Sequence, residues 1–290
     1  MNKYRFLFII LLIPYCLQAQ ESKVFDSLIH KSKILNKDKK FALYLPPGYE
    51  STKRSYPVLY LLHGGNGNQT DWIKEGNMQI IVDEAIKVGK AEPMIIIMPD
   101  AEATYYMNNV KGKYQFEDYF MKELIPYIEQ QYRCRPEKKY RALAGLSMGG
   151  FGSLLYAVHY PEHFSACAAM SAAVRTDEQI KELPPDEYAR RYRTAMGENT
   201  NVDQRITDFW NKNSILYLVN YIPEEQKKAV RIYLDCGDDD RLYKGNALLH
   251  IALRDLSIPH EYRVRNGGHE WQYWRTGLPD ALHFISESFK

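Results

Sequence analysis

Short apolar runs alternate with longer amphipathic stretches along most of this chain. Phe41 to Leu45 is apolar and stops at the breaker Pro46-Pro47-Gly48. Pro57 to Leu62 ends at His63-Gly64-Gly65, and Met94 to Met98 is closed by Pro99-Asp100. Tyr140 to Ala144 leads into Gly145, and Phe164 to Met170 is small and apolar. Val230 to Leu234 exits through Asp235-Cys236-Gly237, and Glu261 to Val264 precedes Asn266-Gly267-Gly268. Continuous apolar runs with polar, glycine-rich exits predict parallel strands buried on both faces.

Helical spacing fills the intervals. Phe116, Phe120, Leu124, Ile128 and Tyr132 fall four apart and form one apolar face, with Pro126 inside the stretch as an expected kink. Ser153 to His159 reads as a helix stopped near Pro161, and Ala247 to Leu256 as another. The alternation predicts an α/β fold: a mainly parallel central sheet flanked by helices. Residues 176–228 break the rhythm. This segment is charged, rich in tyrosine and punctuated by Pro184-Pro185 and Pro223. It is too long for an ordinary connection and reads as a helical insertion over the carboxyl edge of the sheet.

At the N-terminus, Lys3 and Arg5 precede a nearly unbroken apolar run from Phe6 to Leu17, closed by Gln18-Ala19. That three-part pattern is expected of a secretory signal peptide, residues 1–19, cleaved after Ala19. The run is short for a bilayer core of about 30 Å. Tyr15 stands where a lipobox ahead of Cys16 would have a small residue, which argues against a lipoprotein. The expected mature chain, residues 20–290, is read as one domain. Hydrophobic residues make up 45% of the full sequence, enough for a sizeable core. Removing Lys3 and Arg5 cancels the formal charge of +2. No basic stripe points to nucleic acid or an anionic membrane surface. The lysines of Lys31 to Lys40 read as a solvated strand and turn. Cys134, Cys167 and Cys236 form no C-x-x-C pair, so zinc-ribbon and redox readings fail, and their odd number leaves at least one thiol unpaired.

Gly145-Leu146-Ser147-Met148-Gly149 matches G-x-S-x-G between an expected strand and an expected helix, the setting of a nucleophile elbow. The glycines leave room for a strained turn at Ser147. A serine hydroxyl needs a base and an orienting acid, and in α/β-hydrolases these follow it in the order acid, then histidine. Of the eight histidines, His250, His260 and His283 sit within elements, and His159 and His163 flank Pro161. His269 follows the last strand in a glycine-rich loop and is the candidate base. Asp235, Asp238, Asp239 and Asp240 all follow the preceding strand, and spacing alone does not choose among them. The oxyanion hole needs two backbone N–H groups, expected from Met148 and from Gly65 in the loop after the third strand.

Rival motifs are incomplete. Gly65-Asn66-Gly67-Asn68-Gln69-Thr70 lacks both the P-loop lysine and the third glycine of a dinucleotide fingerprint. His269-Glu270 opens like a zinc-protease motif, but Tyr273 stands in place of the second histidine. No metal site is expected. Among the aromatics, Trp72, Tyr105, Tyr106, Trp271 and Trp274 fall in loops at the same edge. They are candidates to stack on a sugar or an aromatic acyl group, against the plain alternative of packing.

Taken together, the segments Tyr44 to Tyr49, Pro57 to Gly65, Ile97 to Asp100, Phe116 to Tyr132, Ala144 to Gly150, Asp235 to Asp240 and Gly267 to Trp271 resemble one family. It groups esterase D, the feruloyl and acetylxylan esterases of carbohydrate esterase family one, and mycobacterial mycolyltransferases. The resemblance spans about residues 35 to 285 and is weakest in the insertion. It implies the α/β-hydrolase fold and an acyl-enzyme mechanism without metal or organic cofactor. It also implies that the acid stands three residues after the glycine of the Cys-Gly turn, which is Asp240, with Asp239 as the fallback. The Leu62-His63-Gly64-Gly65 loop departs from the Gly-Leu loop of mycolyltransferases and argues against transfer. The implied activity is hydrolysis of feruloyl or acetyl esters of plant polysaccharides by an exported enzyme. The alternatives are an S-formylglutathione hydrolase and a catalytically silent carbohydrate-binding relative.

Overall fold

A computed structural model describes residues 21–197 and 201–290. The expected signal peptide, residues 1–19, lies outside the described residues. Eight strands form one sheet: β1 (Lys23–Ser32), β2 (Lys37–Leu45), β3 (Val58–Leu62), β4 (Ile95–Pro99), β5 (Arg141–Leu146), β6 (Ala166–Met170), β7 (Arg231–Gly237) and β8 (His260–Arg265). Their spatial order is β1-β2-β4-β3-β5-β6-β7-β8. The β1–β2 and β2–β4 pairs are antiparallel, and every pair from β4 onward is parallel.

β3, β4 and β6 are apolar at every position because both faces are covered. Leu43, Tyr60, Leu62, Ile97 and Leu143 pack on one face, against the helices Met148–His159 and Tyr243–Asp255 and the aromatic stretch from Phe116. Tyr44, Leu59, Leu61, Ile96 and Ala144 pack on the other, against the helices Met78–Lys87 and Trp271–Phe289. β1 carries no such run. It is an edge strand with mostly exposed positions, and the apolar pattern did not reveal it. The lysines near the β1–β2 turn are not all solvated as expected. Lys39 is buried, and its ammonium pairs with Glu102 at 2.8 Å.

The expected kink at Pro126 takes a particular form. An α-helical turn, Phe116–Tyr119, runs into a π-helical turn, Phe120–Leu124, and resumes as the α-helix Ile125–Gln131. Ile125 N–H donates to the Phe120 carbonyl, five residues back. The wider turn sits where the proline ring would otherwise crowd the preceding carbonyls.

Residues 176–228 contribute the helices Asp177–Glu182, Pro185–Met196, Asp208–Asn211 and Ile215–Leu218 among the described residues. Tyr188, Tyr192, Trp210, Ile215 and Val219 are buried in the same apolar cluster as the sheet face beneath them. Polar ties reinforce the packing. Arg205 donates to the carbonyls of Ile180, Lys181 and Leu183. His159, at the end of the helix Met148–His159, bridges Glu117 at 2.8 Å and the Lys212 carbonyl at 2.9 Å.

Burial opposes the charged form of His159, but the Glu117 carboxylate and the Lys212 carbonyl overcome it and raise its pKa. A raised folded-state pKa stabilises the fold below the ordinary histidine range and loses that contribution as pH rises through the raised value. We expect His159→Gln to melt below the wild type at pH 5.5, by the equivalent of about 1.5 kcal/mol. The gap should narrow at pH 9, and thermal melts at both pH values check it. An equal gap at both would sink the ion-pair account.

Candidate active site

β5 ends at Leu146, and the helix Met148–His159 begins two positions later, with one residue between them. Ser147 therefore makes the whole turn, at φ 54° and ψ −115°. This backbone is costly for a residue with a side chain. Three hydrogen bonds hold it. Ser147 N–H donates to Met170 O, and Ala173 and Phe151 N–H donate to Ser147 O, each at 2.9–3.0 Å. The flanking glycines are required by close approach. A Cβ on Gly145 would strike the Gly149 backbone, and one on Gly149 would strike the end of β3 at Leu62 and His63.

The turn presents Ser147 Oγ to His269 Nε2 at 2.9 Å. His269 Nδ1 lies 2.9 and 3.0 Å from the two Asp240 oxygens. Among the four aspartates left open by spacing, geometry brings Asp240 to the histidine. Asp235 is fully buried and committed to Arg265, Tyr233 and Tyr273. Asp238 accepts the Gly267 N–H, and Asp239 is exposed. Asp239 N–H in turn donates to Gly267 O, so the loops after β7 and β8 are laced together. Burial alone would push the Asp240 carboxyl up. The hydrogen bond and charge of His269, with the Leu242 N–H and Ser171, outweigh burial and hold it below the usual carboxylate range. An ionised Asp240 accepts the Nδ1 proton of His269, which leaves Nε2 facing Ser147 as an acceptor.

Gly64, Gly65, Ser147, Met148 and His269 line a cleft of about 460 Å³. Met148 is the first helical residue, so its N–H has no partner within the helix. Tyr105, Trp271 and Trp274 line the same cleft. Trp274 meets the His269 ring edge to face at 4.9 Å and donates through Nε1 to Ser171 Oγ at 3.0 Å.

Trp72 and Tyr106 stand elsewhere, and the expectation that they face a substrate is corrected. Neither lines the cleft, and both are buried. Trp72 Nε1 donates to Leu62 O at 3.0 Å, and Tyr106 Oη donates to His63 O at 3.0 Å. They fasten the end of β3 from behind. His63 completes the fastening and was not singled out from the sequence. Its Nδ1–H donates to Gly64 O at 2.7 Å, and its Nε2 accepts the Ala101 N–H at 2.9 Å. Full burial lowers its pKa, consistent with a neutral ring that donates on one side and accepts on the other. Arg190, Arg191 and Arg241 also line the cleft and carried no sequence signal. They come from the insertion and from the position beside Asp240, and no motif marks them.

The described residues contain no cluster of three or more metal-ligating side chains. No helix among them is long and apolar enough to cross a membrane.

Comparison with known proteins gives a consistent picture. Residues 32–285 match the profile of the family described as "Putative esterase". The chain is 27% identical to an acetyl esterase of Caldicellulosiruptor saccharolyticus, over 88% of this chain and 96% of that one. It is 35% identical to an endo-1,4-beta-xylanase/feruloyl esterase of Xylanibacter ruminicola, over 50% of this chain but only 21% of that larger protein. A solved structure of a ferulic acid esterase superposes with a TM-score of 0.80 at 33% identity, covering 93% of this chain and all of the other. With the family profile matched along most of the chain and a 33% identical structure matched along its whole length, the protein belongs to this esterase family, within the α/β-hydrolase fold.

Proposed function

We propose that this chain is an exported serine carboxylic ester hydrolase that removes feruloyl or acetyl groups from plant polysaccharides or oligosaccharides. The observation that carries the chemistry is the unbroken chain of contacts from Asp240 through His269 to Ser147 Oγ, each about 2.9 Å long. Acetyl and feruloyl esterases among the relatives support the acyl class, and the sequence pattern of residues 1–19 supports export.

The arrangement supports the following steps. His269 Nε2 takes the Ser147 proton as Oγ attacks the ester carbonyl, and Asp240 stabilises the imidazolium that forms. The negative charge that develops on the carbonyl oxygen falls between the N–H groups of Met148 and Gly65. Collapse of the intermediate passes the His269 proton to the departing sugar hydroxyl and leaves an acyl group on Ser147. Water, deprotonated by His269, then releases the acid and restores the serine. Tyr105, Trp271 and Trp274 would flank a sugar or an aromatic acyl group.

Ser147→Ala should lower the kcat for 4-nitrophenyl acetate by about 10⁴-fold or more while leaving the thermal melt in place. Wild-type rates in that variant would remove the mechanism. Asp240→Asn should cost about 10³- to 10⁴-fold, because the amide can no longer hold the productive His269 tautomer. Asp239→Asn should cost little, and the reverse order would move the acid. On a panel of methyl ferulate, acetylated xylan, 4-nitrophenyl acetate and S-formylglutathione, we expect highest kcat/KM on the oxygen esters. A clear preference for the thioester would overturn the polysaccharide reading.

A further inference from the structure

The cleft beside Ser147 is strongly basic on one side. Arg190 and Arg191 reach it from the helix Pro185–Met196, and Arg241 follows directly after Asp240. One carboxylate, Glu187, serves the first two. It pairs with Arg191 at 2.8 Å and stands 4.0 Å from Arg190. Asp240, whose side chain is fully buried and held by His269 and the Leu242 N–H, acts on Arg241 through its charge alone. Among the described residues Arg241 forms no ion pair and no hydrogen bond. Burial and the neighbouring charges of Arg191 and Arg175 push its guanidinium below its ordinary value. The chain thus gathers three guanidinium groups in one cleft; Asp71 and Glu270 line it too, but among the described residues neither forms an ion pair with these arginines. A neutral acetyl or feruloyl ester returns nothing for this repulsion, whereas an anion would relieve it and accept paired N–H donors.

We propose that Arg190, Arg191 and Arg241 form a carboxylate subsite, so that the preferred ester carries a free carboxylate close to the scissile bond. This rests on the esterase reading above. The carboxylate has two possible sources. It belongs either to the alcohol side, as an acidic sugar in the oligosaccharide, or to the acyl side, as the free end of a dicarboxylic hemiester. Arg241 is the specificity-determining residue, since among the described residues its guanidinium is held by no ion pair or hydrogen bond.

Matched pairs of substrates decide the matter. One pair is acetylated xylo-oligosaccharide with and without a glucuronic acid branch. The other is mono-4-nitrophenyl succinate against 4-nitrophenyl acetate. In at least one pair the charged member should have a kcat/KM about tenfold higher at low ionic strength, chiefly through KM. Arg241→Gln should reduce that charged-to-neutral ratio about tenfold, Arg241→Lys should restore part of it, and 0.5 M NaCl should compress it in the wild type. Equal use of both members in both pairs, or a ratio unmoved by Arg241→Gln, overturns the subsite while leaving the esterase reading intact.

Binding gives a readout independent of turnover. The branched and unbranched oligosaccharides, and succinate, are titrated calorimetrically into Ser147→Ala and into Ser147→Ala/Arg241→Gln. Carboxylate-dependent binding that the second substitution weakens supports the subsite even where no ester is cleaved. Binding indifferent to both the carboxylate and Arg241 overturns it. Loss of all ester hydrolysis in the wild type would instead count against the esterase reading.

Discussion

The backbone of Ser147 is the constraint on which the rest of the site depends. Its positive φ costs on the order of 1–3 kcal/mol for a residue with a Cβ. The fold meets that cost with the hydrogen bonds to Met170 and from Ala173, and with a buried sheet on either side. In return the nucleophile stands clear of the strand that delivers it. The same reversal starts the helix at Met148, so one turn sets both the attacking oxygen and an N–H that can meet the developing charge. Gly145 and Gly149 have no substitutes in this arrangement, because the helix start rests directly on the end of β3.

That contact links the nucleophile to the loop that faces it. The carbonyls of Leu62, His63 and Gly64 are each held by a side chain: Trp72, Tyr106 and His63 respectively. With its three carbonyls fastened, the peptide chain leading to Gly65 has little freedom to reorient. On the opposite side, the loops after β7 and β8 exchange hydrogen bonds through Asp238, Asp239 and Gly267, which seats Asp240 against His269. The candidate catalytic groups, drawn from three separate loops, are thus positioned by bonds between loops. Donors fixed in advance need no reorganisation as charge develops, which is where such sites gain most of their effect.

Much of this was legible in the sequence, for identifiable reasons. Buried parallel strands are apolar on both faces, so β3, β4 and β6 announce themselves as unbroken runs and β5 and β7 as nearly so. The candidate nucleophile and base stood out because a strained turn and a glycine-rich exit demand particular residues at particular places. The candidate acid was not readable from spacing, since four aspartates share one turn. What separates them is burial and direction, which the resemblance anticipated and the contacts of Asp240 display. β1 escaped notice because a solvated edge strand has no apolar signature. Trp72 and Tyr106 were misjudged because a large aromatic in a loop has the same pattern whether its polar tip serves a ligand or a carbonyl of the chain. The arginines of the cleft left no trace at all. Their convergence is made by packing of the segment 176–228, through Tyr188, Tyr192 and Trp210, and no local motif encodes it.

The three cysteines among the described residues carry one more consequence. All are buried and unpaired, and burial raises the Cys134 thiol to about 12 and holds Cys167 and Cys236 well above their ordinary value. Protonated thiols enclosed in a core are poor nucleophiles and poor targets for oxidants. Among the described residues, then, the fold is held together by packing and hydrogen bonds and draws on no disulfide, so a reducing medium removes none of the contacts that seat the site.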